Sequence, residues 1–498
     1  MSAQSIDFVS NDLTIPNPDK PTPLFQPAEP WILLGFFGFV TLILMLLGGA
    51  GAKIVNFVFP AGCLGISYYL YFRHPILYNG FVWWLFFITP FLRRICDWRI
   101  GAFTQPSSSY ILLSPFLASL VCLHTLYVNL PKTRENGSTP FVIAIAAIFY
   151  GYLIGIIYGK PVSTTVELLD WLPQVAFGYH LYVNWRRYPL HMQNIKRVFM
   201  WGILIMGVYG IYQYIVAPEW DRLWLVESGM ISSAGSPYPF GMRVWSTMNS
   251  QGPYADYAVT GLLILLACQS WLVIPASIAG ALSLLLSLVR AGWITLMAGV
   301  LVLLTSLSAK QKFRIFMGIV CMALVLIPLV TMEPFAKSVT ARLETMTNLQ
   351  EDGSAKARQG TYAILFDTAV SQIVGKGIGS FDTDGAPIVL LINLGWIGAI
   401  PYVGGLIFGS LLIFTTKTDA RNLDFAVVRA IMVKSLLFLL TSSTMKGAQG
   451  LLLWGFLGMG MSQLKYQAYI KQQNYLKIYE SAILEASQAS HQSKEQAS

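Results

Sequence analysis

Carboxylates and arginines gather in two polar stretches of an otherwise apolar chain, and these are the residue types that acid–base chemistry and phosphate binding require. The longer stretch runs from Thr331 to Ala386 and holds Asp382 and Asp384 near its end. A carboxylate acts as a general base towards a hydroxyl group when it lies within hydrogen-bonding reach of that group. Two aspartates one residue apart are equally typical of a turn or a helix cap, so a catalytic and a structural role both stay open.

Four arginines in three sequence contexts accompany these aspartates. The arginine side chain presents a planar fork of donors that binds phosphate oxygens in pairs. Arg290 lies between two apolar runs, and an arginine at the centre of a spanning helix costs about 2.5–3.5 kcal/mol. Snorkelling of the side chain to the interface is the alternative to anion binding. Together the arginines predict a pyrophosphate site at the membrane surface; they are Arg243, Arg290, Arg342 and Arg358.

The shorter polar stretch, Ala217 to Tyr254, carries residue types that suit a sugar. Arg243, Trp245, Thr247 and Asn249 alternate along the chain, as in an extended segment. The tryptophan ring offers a flat apolar face, and the asparagine amide both donates and accepts hydrogen bonds. We therefore predict that Trp245 and Asn249 contact an acceptor sugar. An ordinary loop with an interfacial tryptophan is the alternative interpretation.

A helix and three glycines lie between Arg342 and the aspartates. Apolar residues recur at helical spacing from Ala355 to Val374, and Arg358 lies four residues before Tyr362 on the same predicted face. The glycines at 375, 377 and 379 are expected to end this helix and to permit tight turns. As a signature for phosphate binding their spacing is weak, because no strand precedes them and no helix follows directly.

The composition identifies the scaffold that carries these residues. Of the 498 residues, 55% are hydrophobic and only 11% are charged, whereas a soluble domain has about 25% charged residues. The apolar segments do not alternate with polar residues as barrel strands would. The sequence therefore predicts an all-α integral membrane protein, a bundle of about 12–14 transmembrane helices between residues 31 and 464. The segment Val166–Val183 contains Glu167 and Asp170, and it is either a span or a re-entrant segment.

Basic residues predict the orientation of the bundle. Three basic clusters fall on the same side of the predicted spans as both termini, and loops rich in Lys and Arg stay cytoplasmic. The loops at 217–253 and 332–387 then lie together on the opposite face, with Arg290. The clusters are Arg186, Arg187, Lys196 and Arg197, then Lys310, Lys312 and Arg314, and finally Lys417, Arg421 and Arg429.

One group of arginines contradicts this orientation. Arg93, Arg94 and Arg99 would lie on the same face as the long loops, against the excess of basic residues expected in the cytoplasm. An error in the count of spans, interfacial snorkelling and a ligand-binding role all remain open.

The two ends of the chain and its cysteines suggest no further catalytic unit. Residues 1–30 are rich in proline and are predicted to be a disordered cytoplasmic segment, and 465–498 form a polar cytoplasmic tail. The five cysteines are not spaced like metal ligands, so no metal site is expected. The net charge of +9 follows from basic loops, and no basic stripe indicates nucleic-acid binding.

Three motifs in this order resemble the O-antigen ligase and Wzy-type polymerase superfamily of bacterial glycan-assembly membrane proteins. They are Arg243-Val-Trp-Ser-Thr-Met-Asn249, Ser287-Leu-Val-Arg290-Ala-Gly-Trp293, and a long loop with Arg342, Arg358 and Gly375-Lys-Gly-Ile-Gly379, which leads to Asn393-Leu-Gly395. The resemblance covers roughly residues 198–464.

The resemblance implies a GT-C-like helical bundle in the bacterial inner membrane that transfers a glycan from undecaprenyl pyrophosphate at the periplasmic face, without metal or cofactor. In this scheme the arginines hold the pyrophosphate, which leaves as lipid diphosphate when an acceptor hydroxyl attacks the sugar. Flippase and chain-length regulator proteins are further partners that the resemblance implies.

The long loop departs from the ligase branch in one respect. Ligases carry a histidine shortly before the re-entering span, whereas this stretch reads Asp382-Thr-Asp384-Gly385 and contains no histidine. We therefore expect a polysaccharide polymerase with Asp384 or Asp382 as the base. A ligase, a transporter for a small solute and a protein that only binds lipid-linked sugar are the alternatives.

Overall fold

The computed structural model describes residues 27–333, 335–336, 353–416, 422–442 and 444–495. Within these ranges the chain forms helices and the turns that join them, apart from one isolated bridge between Gly235 and Met242. The predicted all-α class is therefore confirmed. The segment predicted to be disordered, 1–30, lies almost entirely outside the described residues.

The helices follow one another with short connections, except at the two polar stretches and at residues 101–113, which form two 3-10 turns. The first nine are α1 (Glu29–Leu46), α2 (Gly48–Arg73), α3 (Pro75–Ile100), α4 (Ser114–Leu120), α5 (Leu123–Asn129), α6 (Thr133–Asn136), α7 (Thr139–Ile157), α8 (Pro161–Val183) and α9 (Tyr188–Val216). The next six are α10 (Glu219–Glu227), α11 (Ile231–Ala234), α12 (Gln251–Leu265), α13 (Val273–Leu286), α14 (Arg290–Thr305) and α15 (Ala309–Thr331). The last four are α16 (Gly353–Val370), α17 (Ala386–Thr415), α18 (Leu423–Phe438) and α19 (Gly447–Glu495).

Eight helical segments of the described chain are long and apolar enough to cross a membrane. A span needs about 20 predominantly apolar residues, and α13 and α14 are apolar but shorter. The multi-pass architecture expected from the composition is thus supported, and the number of 12–14 spans stays a prediction. The eight segments are α1, α2, α3, Tyr110–Asn136, α7, Trp185–Val216, Ala309–Pro328 and α17.

Pairs of parallel helices bring the polar stretches to one end of the bundle. A Cβ atom on Gly292 would lie 3.1 Å from Ala255, and one on Gly299 would lie 2.8 Å from Leu263, so α14 runs parallel to α12. In the same way α9 runs parallel to α13, and α8 to α19. The starts of α8, α12, α14, α17 and α19 therefore meet the ends of α3, α9 and α13 at one end of the bundle, which we call the loop end.

The basic clusters lie at the opposite end. Arg186 and Arg187 directly precede α9, and the cluster from Lys310 to Arg314 lies in the first turns of α15. In the third cluster Arg429 lies on α18, whereas Lys417 and Arg421 are outside the described residues. The start of α1 and the long extension of α19 are also at this end.

Close backbone contact sets the alignment of α8 with α19. A Cβ atom on Gly178 would lie 2.2 Å from the carbonyl oxygen of Trp454, and one on Gly458 would lie 2.2 Å from that of Gly178. Small residues let helix backbones approach in this way. The contact fixes which residues of the two helices face each other at the loop end, where Glu167 meets Lys446.

Candidate functional site

A buried ion pair joins the end of α3 to the loop at 217–253. Arg94 Nε lies 2.7 Å from Asp221 Oδ1, and neither side chain is exposed. The other carboxylate oxygen, Oδ2, accepts hydrogen bonds from Tyr209 at 2.7 Å and from Gln213 at 2.8 Å. Burial raises the pKa of the Asp221 carboxyl, and Arg94 and these hydrogen bonds oppose that rise. The charged pair is therefore compensated, as a buried pair must be.

Arg94 of α3 and Gln213 of α9 also hold the segment that carries Arg243. Arg94 donates to the carbonyl oxygens of Ser246 and Met248. The Gln213 side-chain oxygen accepts the backbone N–H groups of Trp245 at 3.0 Å and Ser246 at 2.9 Å. The segment is thus fixed by buried groups of the helical bundle rather than by contacts within the loop.

Trp245 belongs to the interior of this loop. Its side chain is 0% exposed, and its ring lies 5.5 Å from that of Trp224. The indole N–H has no hydrogen-bond partner among the described residues. The predicted sugar contact would require an accessible ring face, and in this structure the ring is a packing group instead.

Arg243 and Arg290 lie on segments that are hydrogen-bonded neighbours. The N–H of Val244, which follows Arg243, donates to the carbonyl oxygen of Leu286 at 3.1 Å. Leu286 ends α13, and Arg290 begins α14 after a turn of three residues. Two arginines predicted from separate parts of the sequence therefore emerge at adjacent places, and both side chains are half-buried.

Strained backbone marks this region. Within the described ranges, the non-glycine residues with positive φ are Ala217, Phe240, Ser246 and Leu288. Each such residue costs of the order of 1–3 kcal/mol and persists where the surrounding structure imposes it, typically at functional sites. All four lie in the 217–253 loop or in the turn before Arg290.

The N-termini of α12 and α14 both lie beside the segment that carries Arg243. α12 begins at Gln251, directly after the Arg243 segment, and α14 begins at Arg290 beside it. Helix N-termini carry partial positive charge and unpaired N–H donors, so they favour anions. Asn249 Oδ1 and Thr247 Oγ1 are buried without a hydrogen-bond partner among the described residues. The arginines, the two N-termini and these polar atoms together suit a polar, anionic ligand.

Residues 371–381, which contain the three predicted turn glycines, pack into a break in α17. The φ angles of Gly375, Gly377 and Gly379 are +84°, +83° and +80°. A Cβ atom on Gly377 would lie 2.2 Å from the Gly155 Cα atom, and one on Gly375 would lie 2.4 Å from the Gly395 nitrogen. The glycines therefore serve turns that pack closely against α7 and α17, whereas the preceding helix already ends at Val370, before it reaches them.

Hydrogen bonds across this break replace those that α17 lacks. Gly395 has φ +61° and interrupts the helix. Lys376 and Gly377 donate to the carbonyl oxygens of Ile392 and Asn393, at 2.8 and 2.9 Å. The backbone N–H groups of Trp396 and Ile397 in α17 donate in turn to the carbonyl oxygens of Gln372 and Ile373, at 3.1 and 3.2 Å. The segment is thus built into the bundle and leads directly to the predicted aspartates.

Asn393 and Lys446 position the turn that carries Asp382. The Asn393 side chain accepts the N–H groups of Ser380 and Phe381, both at 3.2 Å, and donates to the carbonyl oxygen of Phe381 at 2.8 Å. The Lys446 Nζ atom lies 3.2 Å from Asp382 Oδ1 and also 3.2 Å from Glu167 Oε2. Burial alone would lower the pKa of Lys446, but the surrounding carboxylates outweigh burial and raise it. Asp384 is exposed two residues further along this turn.

The structure describes less of the other two predicted arginines, Arg342 and Arg358. Arg342 lies outside the described residues, and Arg358 belongs to α16 by its backbone, while its side chain is outside what is described. α16 ends at Val370, four residues earlier than predicted. One of its predicted apolar residues, Ala369, is buried against α17, whereas Phe366 is 59% exposed.

Sequence reasoning noted Arg94 but missed its structural role, and it missed Asp221, Gln213, Asp256 and Lys434 inside the bundle. Arg94, Asp221 and Gln213 build the loop anchor, and a second buried pair joins Lys434 of α18 to Asp256 of α12. The available signal was the presence of Asp256 and Lys434 inside apolar segments, where ionisable residues are costly and face a partner. No protein-family model matches the chain, and neither does any curated protein.

Proposed function

We propose that the protein is a membrane-embedded, metal-independent glycosyltransferase that uses a glycan on undecaprenyl pyrophosphate as its donor. Its reaction is polymerisation, in which a lipid-linked glycan is transferred to an acceptor sugar hydroxyl. The proposal begins from the resemblance to the O-antigen ligase and Wzy-type superfamily. The absence of a histidine from the turn at 380–385 favours the polymerase over the ligase.

The observation that carries the proposal is the contact between the Arg243 segment and the turn before Arg290. The Val244–Leu286 hydrogen bond places these segments side by side at the starts of α12 and α14. Two guanidinium groups and two helix N-termini in a half-buried place are what a pyrophosphate needs. Arginines that only contact lipid headgroups would not need to be held in place by a strained backbone and buried hydrogen bonds.

The chemistry of the transfer follows from these groups. The acceptor oxygen forms a bond to the anomeric carbon, while the bond from that carbon to the phosphate oxygen breaks and its electron pair leaves with the lipid diphosphate. Preorganised guanidinium groups stabilise the charge that develops on this leaving group. The hydroxyl proton passes to a carboxylate, for which Asp384 and Asp382 remain the predicted residues.

The proposed location is the bacterial inner membrane, with the loop end in the periplasm and both termini in the cytoplasm. The clusters at Arg186–Arg187 and Lys310–Arg314 support this orientation, because basic residues are retained in the cytoplasm. Flippase and chain-length regulator proteins would then act with it, the first delivering lipid-linked units to the loop end.

The test is transfer by the purified protein, with Arg290→Ala and a matched control. The substrate is the lipid-linked unit that accumulates in a deletion strain. Loss of one preorganised donor costs on the order of 10²-fold in rate, and we expect this loss in Arg290→Ala. Arg314→Ala, an exposed arginine at the opposite end, should retain the wild-type rate.

Glycan profiles of the complemented deletion strain separate the alternatives. A polymerase leaves single repeat units without long polymer, unrescued by Arg290→Ala. A ligase leaves long polymer on its lipid, missing from the final acceptor. Binding of lipid-linked glycan by purified protein without conversion would indicate a sensor, and an unchanged profile would contradict the proposal.

A transporter is the second candidate, and two observations favour it. Discontinuous helices and buried ionisable residues are typical of transport sites, and the chain has a break at Gly395 and the buried pair Asp256–Lys434. Proteoliposomes that move a solute while leaving lipid-linked glycan unchanged would establish this alternative.

A further inference from the structure

The first turns of α8 present a polar face to the start of α19. Glu167, Asp170 and Gln174 are three and four residues apart, so they project from one face of the helix. Glu167 pairs with Lys446, one residue before α19, and the Gln174 Cγ lies 3.3 Å from where a Cβ on Gly450 would be. Asp170 therefore lies between these two contacts, in the interface of α8 and α19 at the loop end.

Asp170 is a half-buried carboxylate without a protein partner. No described residue donates a hydrogen bond to it or pairs with it. The titratable groups that act on it are Glu167 from its own helix, Lys446 and Asp382. Of the other helices that pack against α8, α4 has no titratable group, α7 carries Tyr150 and Tyr152, and α5, which contacts α8 at His180, carries His124 and Tyr127.

Gln174 provides a second and independent sign of a ligand. Its side chain is fully buried, yet neither its oxygen nor its nitrogen has a hydrogen-bond partner among the described residues. A buried amide without partners is costly, because it has lost its hydrogen bonds to water and gained none in return. Thr444, two residues before Lys446, is 1% exposed and has an unpaired hydroxyl as well. A Cβ atom on Gly450 would lie 2.7 Å from the Met445 carbonyl oxygen and 3.3 Å from Gln174 Cγ, so α8 and α19 pack closely beside Gln174.

We propose that Asp170 and Gln174, with Glu167 and Lys446 at the rim, form a subsite for the hydroxyl groups of the acceptor glycan. This inference rests on the proposed function, because it assumes that the second substrate is a sugar. The subsite lies on other helices than the arginine region, since α8 packs mainly against α19, α7, α4 and α5. The two substrates would thus be held by different helices at the same end.

The chemistry of the subsite selects hydroxyl groups over the pyrophosphate. Glu167, Asp170 and Asp382 outnumber Lys446, so the subsite repels an anion. A hydroxyl donates to a carboxylate and also donates to and accepts from an amide, so neighbouring hydroxyls of a sugar satisfy Asp170 and Gln174 together. Only a group that both donates and accepts hydrogen bonds can pair with the oxygen as well as the nitrogen of the Gln174 amide.

The experiment separates acceptor binding from donor turnover. Mild acid releases the glycan of the accumulated lipid-linked unit, which keeps its acceptor hydroxyl and loses the pyrophosphate. Purified full-length protein is measured for the Kd of this released glycan and for the acceptor KM and donor KM. The variants are Asp170→Asn and Gln174→Leu, and Asp367→Asn, an exposed carboxylate of α16, is the control.

We expect both subsite variants to raise the Kd and the acceptor KM about tenfold, because Asp170→Asn loses a hydrogen bond to a charged group and Gln174→Leu loses two neutral ones. The donor KM should stay unchanged, and Asp367→Asn should match the wild type. A higher Kd for the released glycan at an unchanged donor KM and an unchanged unfolding temperature is a result that a merely structural role would not explain.

Each contrary result has a distinct meaning. An unchanged acceptor KM in both variants would show that the unpaired atoms hold only water, and the inference would be wrong. Misfolding of Asp170→Asn leaves Gln174→Leu to decide the question. A wild-type protein that binds released glycan through Asp170 but transfers nothing would refute the proposed function and leave the subsite standing.

Discussion

Arg94 and Asp221 form an ion pair at 2.7 Å in which neither side chain is exposed. The pair joins α3 to the loop at 217–253, and Arg94 uses its remaining donors on the carbonyl oxygens of Ser246 and Met248. The planar fork of arginine allows one residue to contact a carboxylate and two carbonyls at once. The position of Arg243 in space therefore depends on a residue far away in the sequence.

Arg94→Lys is predicted to release this loop. Lysine keeps the charge but loses the fork, so it cannot contact the carboxylate and both carbonyl oxygens at once, and each lost hydrogen bond of a charged group costs about 1.5–3 kcal/mol. Thermal unfolding in detergent should show this loss, and limited proteolysis should cut within 217–253 at much lower protease concentration. Arg99→Gln is the control, because Arg99 is exposed on the same helix. Equal unfolding of both variants would contradict the anchoring role of Arg94.

The three arginines of α3 show where sequence reasoning was limited. Their conflict with the expected orientation was visible, but snorkelling, miscounting and ligand binding were the explanations considered. In the structure Arg93 pairs with Asp97 at 3.3 Å and Arg94 with Asp221, while Arg99 stacks on Trp98 at 4.7 Å. Residue spacing reveals an i,i+4 pair such as Arg93–Asp97, but it holds no information on the long-range partner of Arg94.

Trp245 provides a prediction that separates packing from sugar contact. Its ring is buried against Trp224, so Trp245→Ala should destabilise the protein by about 3–5 kcal/mol through the cavity it leaves. Trp245→Phe should cost much less, because the indole N–H has no described partner to lose. Unfolding temperatures and transfer rates of the two variants are the measurements. A large loss of transfer in Trp245→Phe at unchanged stability would restore the predicted sugar contact.

Gly377 is predicted to tolerate no side chain. Its φ is +83°, and a Cβ atom would lie 2.2 Å from Gly155 of α7. The left-handed conformation alone costs a residue with a side chain roughly 1–2 kcal/mol, and the backbone contact adds to this. Gly377→Ala should therefore lower the yield of folded protein and its unfolding temperature.

Gly360→Ala is the matched control for this glycine. Gly360 lies within α16, and a Cβ atom there would meet no described atom within 4 Å. Alanine is favoured over glycine inside a helix by roughly 1 kcal/mol, so this variant should be neutral or slightly more stable. If Gly377→Ala behaved like Gly360→Ala, the packing of 371–381 into the break of α17 would be wrong.

The glycines and the charged pairs differ in how far the sequence could predict them. Glycine at 375, 377 and 379 indicated turns by its known conformational freedom, and the positive φ angles confirm that expectation. The partners of those turns, Gly155 and Gly395, lie in other helices and follow only from tertiary packing. The arginine contexts at 243 and 290 were likewise visible, whereas the hydrogen bond that joins them, Val244 to Leu286, was not.

The buried pair of Lys434 and Asp256 provides the last prediction. Lys434 donates to the Asp256 carboxylate and, at 3.3 Å, to its carbonyl oxygen, and Gln449 donates to the other carboxylate oxygen at 3.2 Å. Both side chains of the pair are almost completely buried. Lys434→Met leaves an uncompensated carboxylate inside the bundle, so it should destabilise the protein by about 3–5 kcal/mol.

The double variant Lys434→Met with Asp256→Leu tests whether the pair is needed for stability or for activity. Replacing a buried pair by apolar residues of similar volume is often neutral or stabilising, so the double variant should unfold near the wild-type temperature. The pair joins α12, α18 and α19 just below the starts of α12 and α19. If the pair only supports the fold, the double variant should transfer glycan at the wild-type rate. If its charges take part in transport, solute movement in proteoliposomes should disappear from a protein that is otherwise stable.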